Sequence, residues 1–114
     1  MEINKLCKAA YENADKHGFY EDIDNIQALD TEHIPYQQLM NNAISTRLLL
    51  IIGEVSEAME ALRKNDIPNF DEELADVAIR LLDLCGYMAV DLEVEIEKKM
   101  KINADRPYKH GKEF

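Results

Sequence analysis

Apolar residues recur along this chain at helical spacing. Ile3, Leu6, Cys7, Ala10, Tyr11 and Ala14 form one face of a segment from residue 3 to about 17, and Gly18 after His17 supplies a stop. Residues 19–35 are less regular: Phe19, Tyr20, Ile23, Ile26 and Leu29 are scattered among acids, which predicts a loop with one short helical turn ending near Pro35. From Tyr36 to Lys64 the stripe is continuous through Leu39, Met40, Ala43, Ile44, Leu48, Ile51, Val55, Ala58, Met59 and Leu62. Within that long helix, residues 48–52 are apolar all round, so its centre is expected to be buried on most sides. Residues 65–69 form a break, where Pro68 stops continuation, and Asn69 with Glu72 resembles a capping box. The next helix is expected to run to about Ala89, with Leu74, Val77, Ala78, Leu81, Leu82, Cys85 and Met88 inward. Asp91 then caps a last helix from Leu92 to about Asn103, and Pro107 closes the regular structure.

The pattern predicts an all-α fold: an antiparallel helical bundle of four main helices, forming a single domain over residues 1–114. Gly and Pro are scarce and the apolar content is ordinary, which favours a packed protein over a disordered one. No apolar run reaches the length of a membrane span and no signal-peptide pattern opens the chain, so no membrane partner is expected and the expected location is cytoplasmic. Cys7 and Cys85 lie among aliphatic residues and read as reduced core thiols.

Charge adds a second layer. The net charge of -10 argues against nucleic acid as a partner. Residues 98–112 reverse that sign locally, with Lys98, Lys99, Lys101, Arg106, Lys109 and Lys112 against Asp105. Such asymmetry marks either an anion site or a solvated tail.

The acids that interrupt the apolar helices are themselves patterned. Glu54 and Glu57 are three residues apart, as are Glu73 and Asp76, so each pair shares a helix face. In an antiparallel hairpin, residues equidistant from the turn lie at one level. Glu54 with Asp76, and Glu57 with Glu73, are both centred on residue 65, inside the expected break. Carboxylates so placed repel: two unit charges about 4 Å apart cost about 4 kcal/mol at an effective dielectric near 20. They must protonate, splay apart or hold a cation. Oxygen-only donors favour Mg²⁺ or Mn²⁺ over zinc, and His17, His33 and His110 lie outside both acidic helices. The bland reading of each pair is a solvated polar face. Glu60 and Glu72 read as surface charges, and Arg80 either pairs within its helix or faces a ligand. Lys99, Asn103 and Arg106 share a face of the last helix and suit phosphate oxygens and a polar sugar or base edge.

Three blocks together, Glu54-Val-Ser-Glu57-Ala-Met-Glu-Ala-Leu-Arg63, Glu72-Glu73-Leu-Ala-Asp76-Val and Lys99-Met-Lys-Ile-Asn103-Ala-Asp-Arg106-Pro-Tyr-Lys-His-Gly, resemble the MazG-like all-α nucleoside triphosphate pyrophosphohydrolases in order and spacing. That superfamily includes dimeric dUTPases, dCTP pyrophosphatases and the phosphoribosyl-ATP pyrophosphohydrolase of histidine synthesis. The resemblance implies Mg²⁺ (or Mn²⁺) held by Glu54, Glu57, Glu73 and Asp76, and nucleotide contacts from Lys99, Asn103, Arg80 and, more loosely, Arg106. It implies a homodimer or homotetramer and cleavage of a nucleoside triphosphate to monophosphate and pyrophosphate. A hairpin cannot enclose a nucleotide alone, which independently favours a second protomer. Glu57 is the preferred water-activating residue. Relatives carry part of the base pocket in the region matching residues 19–35. With no tryptophan present, Phe19, Tyr20 and Tyr36 are the candidates to stack on a base. The alternatives are a non-catalytic helical interaction module and an enzyme specific for phosphoribosyl-ATP.

Overall fold

The computed structural model of the chain describes residues 2–29, 32 and 35–111. Five α-helices follow in order: α1 (Glu2–Lys16), α2 (Glu21–Gln27), α3 (Tyr36–Arg63), α4 (Ile67–Tyr87) and α5 (Leu92–Ala104), then a 3₁₀ turn at Tyr108–Gly111. Among the described residues there is no strand. His33 and Lys112 lie outside them.

The α3–α4 hairpin is the frame. α1 lies along α4, α2 packs on α3, and α5 meets α1. Two connections make the frame tight. After α3, Asn65 takes a left-handed φ of 55°, a conformation asparagine tolerates. The Asp66 N–H then donates to the Ala61 carbonyl at 2.9 Å and closes the helix end. α4 starts earlier than the expected capping box at Asn69. Asp66 is the N-cap, and its carboxylate accepts the Asn69 N–H at 3.2 Å. Pro68 sits inside the first turn instead of breaking the chain, because the first helical N–H groups need no intrahelical partner. After α4, Asp91 caps α5 as expected, accepting the Val94 N–H at 3.3 Å. It also accepts the Asn4 amide at 2.8 Å, and Glu93 accepts the Ile3 N–H at 3.2 Å, so the starts of α1 and α5 are tied together.

The core is narrow and built from small residues: Cys7, Ala14, Ala43, Ala58, Ala61 and Cys85 are buried, with Tyr20, Ile23 and Leu84. Small side chains let helix backbones approach closely. At the α1–α4 crossing, a Cβ on Gly86 would strike the Cys7 carbonyl oxygen and lie 2.7 Å from the Tyr11 Cβ. Both cysteines are free. α2 is longer than the single expected turn. Its Ile23 is fully buried, and Tyr20, at its N-cap, forms a three-ring cluster, stacked on Tyr87 at 4.8 Å and edge-on to Tyr11 at 5.0 Å.

One expectation fails within a single chain. The apolar centre of α3 is not buried on most sides: Leu48, Leu49, Leu50 and Ile52 are exposed, as are Val55, Met59 and Leu62. Leu74 and Leu81 on α4, and Met88 at its C-cap, are likewise exposed, where inward packing was expected. The α3–α4 hairpin has two faces, and α1 and α2 cover only one. Leu48, Ile52, Val55, Met59 and Leu62 repeat by four and three, the spacing of a helix–helix seam.

Candidate active site

The hairpin brings together three of the four acids that the turn arithmetic places at one level. Glu54 of α3 and Glu73 and Asp76 of α4 each offer a carboxylate oxygen, and these oxygens all lie within 4.8 Å of one another. Glu54 and Glu73 are half-buried and Asp76 is exposed. Glu57, one turn after Glu54, is exposed and stands outside this tight group, although its charge is felt at Glu73. Partial desolvation, a hydrogen bond shared with Glu54 and the charges of Asp76, Glu54 and Glu57 all push the Glu73 carboxyl above its ordinary range. Among the described residues, Arg80 answers part of this excess negative charge: its Nε–H donates to Glu54 Oε1 at 2.8 Å.

The donor set fits a hard divalent cation. All three groups are carboxylates, and opposite ligands of an octahedral Mg²⁺ lie about 4.2 Å apart, so small side-chain rotations would close the set.

Beside the cluster a cavity of about 510 Å³ opens between α1, the Gly18–Asp22 segment, α3 and α4, within the size range of small-molecule sites. Glu54, Asp76 and Arg80 line it near the acidic cluster; Phe19, Asp22 and Arg47 also line it. The Phe19 side chain is 62% exposed, whereas Tyr20 is 1% exposed, buried among rings and unable to stack on a ligand. Tyr36 does not line the cavity.

Arg47 is the residue that the sequence reading passed over. Its two terminal nitrogens grip both oxygens of Asp22, at 2.7 and 3.1 Å, and also donate to the Phe19 and Ala43 carbonyls at 2.7 and 2.9 Å. The guanidinium lies 4.4 Å from the Tyr20 ring centre. This bonding holds the Asp22 carboxyl below its usual range. The missed signal was Arg47's place four residues after Ala43, on the inward face of an apolar helix. Tyr20 in turn donates to Asp83 Oδ1 at 2.7 Å, although burial leaves that carboxyl above its ordinary value.

The last-helix residues are not brought to the acidic cluster. Lys99, Asn103 and Arg106 are exposed, none lines the cavity, and α5 packs on α1. Among the described residues no helix is long and apolar enough to cross a membrane.

The model of the MazG nucleotide pyrophosphohydrolase domain matches residues 42–106, more than half of the chain and both acidic pairs of the hairpin. No curated protein and no solved structure matches it.

Proposed function

Because the chain belongs to the MazG nucleotide pyrophosphohydrolase family, we propose that it hydrolyses a nucleoside triphosphate to the monophosphate and pyrophosphate, with Mg²⁺ or Mn²⁺, in the cytoplasm. The observation that carries this reading is the convergence of Glu54, Glu73 and Asp76 beside a cavity of nucleotide size. A divalent cation held there would neutralise the triphosphate and orient its anhydride bond. Glu57, outside the tight group, keeps a carboxylate to align a water and accept its proton as the α–β anhydride breaks. Lys99, Asn103 and Arg106 hold phosphate oxygens, brought to the site by a second copy of the chain, as a homodimer or homotetramer. Support for that copy comes from the exposed seam on α3 and from the cavity lining within one chain, which does not include Lys99, Asn103 or Arg106.

A panel of dUTP, dCTP, the other nucleoside triphosphates and phosphoribosyl-ATP, incubated with Mg²⁺ and assayed for pyrophosphate, tests this reading. Release from one or more nucleoside triphosphates is expected. Release from phosphoribosyl-ATP alone would assign the specialised activity, and no release from any would leave a helical interaction module. Glu57→Gln is expected to lower kcat by about 10²- to 10⁴-fold, and Asp76→Asn to raise the Mg²⁺ concentration required. Undiminished activity in both variants would remove the assigned site.

A further inference from the structure

Arg80 stands between the acidic cluster and Asp83. Its Nε–H is bonded to Glu54 Oε1 at 2.8 Å, and Glu54 is one of the three cluster carboxylates. One turn further along α4, Asp83 lines the same cavity and feels the charge of Arg80. Asp83 is fixed in place by the Tyr20 hydroxyl at 2.7 Å. The Arg80 side chain is 35% exposed and borders the cavity, so its guanidinium can rotate without disturbing the core. A cation coordinated by Glu54 and the guanidinium bonded to Glu54 compete for the same negative charge.

We propose that Arg80 is a displaceable countercharge: it neutralises Glu54 until a divalent cation arrives, then swings into the cavity beside Asp83, where it meets the polyphosphate. This rests on the reading of the acidic cluster as a divalent-cation site. Arg80 therefore weakens binding of the cation alone and strengthens binding of the phosphate chain once the cation is present. The two effects have opposite signs, and thermodynamic linkage joins them: polyphosphate that captures the released guanidinium tightens the cation in return. A residue that only stabilises the hairpin would shift both affinities in one direction or neither.

The test is calorimetric titration of the full chain, first with Mg²⁺ alone and then, at saturating Mg²⁺, with inorganic tripolyphosphate, which carries no base. Relative to the wild type, Arg80→Gln is expected to bind Mg²⁺ about two- to fivefold more tightly, the range for a partly exposed ion pair. The same variant is expected to bind tripolyphosphate more weakly. Arg80→Lys, which keeps the charge but loses the Nε donor, should fall between the two for Mg²⁺, and it carries the test if Arg80→Gln loses helicity by circular dichroism. Equal or weaker Mg²⁺ binding in the variants overturns the displacement while leaving the cation site intact. No Mg²⁺ binding by the wild type overturns the cation site itself, and the displacement with it.

Discussion

Arg47 shows how much of this fold depends on one polar side chain. It satisfies two backbone carbonyls and both oxygens of Asp22 while only 12% exposed. Arg47→Ala leaves those groups short of a charged donor, and an expected loss of about 2 kcal/mol should appear in urea unfolding. A loss below about 0.5 kcal/mol would place the pair among inert surface bridges. The depressed Asp22 pKa gives stability that is present above the ordinary value of 3.8 and is lost as pH falls through the folded value. Glu73 works in the opposite direction. Its raised pKa means that its favourable contribution is complete below the ordinary 4.5 and is lost as pH rises through the folded value. Without Mg²⁺, Glu73→Gln should therefore melt higher than the wild type at neutral pH. It should also lose most of the Mg²⁺-induced stabilisation, which for the wild type is about 2.7 kcal/mol at one hundred times the Kd. Equal Mg²⁺ responses in the two proteins would exclude Glu73 as a ligand.

At the scale of elements, the hairpin was legible because both acidic pairs could be counted from one turn. A miscount of the turn by a residue or two leaves carboxylates on the facing surfaces. The start of α4 was not legible. Pro68 reads as a stop in isolation and as a first-turn residue only when Asp66 is seen to cap. Nor was α2, whose Ile23 and Tyr20 are buried by α1, α3 and α4 rather than by any local period. Arg47 escaped for the same reason, since its partners lie 25 and 28 residues away. Gly86 marks a close crossing of α1 and α4. Gly86→Ala brings a methyl group against the Cys7 carbonyl and Tyr11, and should cost about 1–3 kcal/mol by overpacking despite alanine's better helix propensity. A neutral or stabilising result in chemical denaturation would mean that α1 can move away freely.

For the whole molecule, the radius of gyration is 17.4 Å, against about 13 Å for a compact domain of 100 residues. The excess reflects an elongated molecule of 51 × 36 × 30 Å, drawn out along the 28-residue α3, whose apolar outer face is uncovered. Ile52, 62% exposed, lies in the middle of that face. Ile52→Lys removes nothing from the core of a single chain, so helicity should persist while light scattering reports a smaller particle than the wild type. Pyrophosphate release should fall with it if α5 acts across the interface. A wild-type monomer with full activity would refute the shared site. Residues 48–52 illustrate why this was hard to read from the chain: apolarity on all sides predicts burial, but says nothing about whether the cover is the same chain or another.

Phe19 takes part in the fastening of the cavity wall through its backbone alone: its N–H donates to the Ala14 carbonyl at 3.0 Å, and its carbonyl is held by Arg47 at 2.7 Å. Its ring contributes no part of either bond and projects outward. The position is therefore structurally permissive in a way its neighbour Tyr20 is not. Lineages diverging from this sequence, or libraries built on it, can sample different side chains at residue 19 while the anchor that positions them stays constant. Innovation in what the cavity admits is separable, at this one position, from the inheritance of the fold.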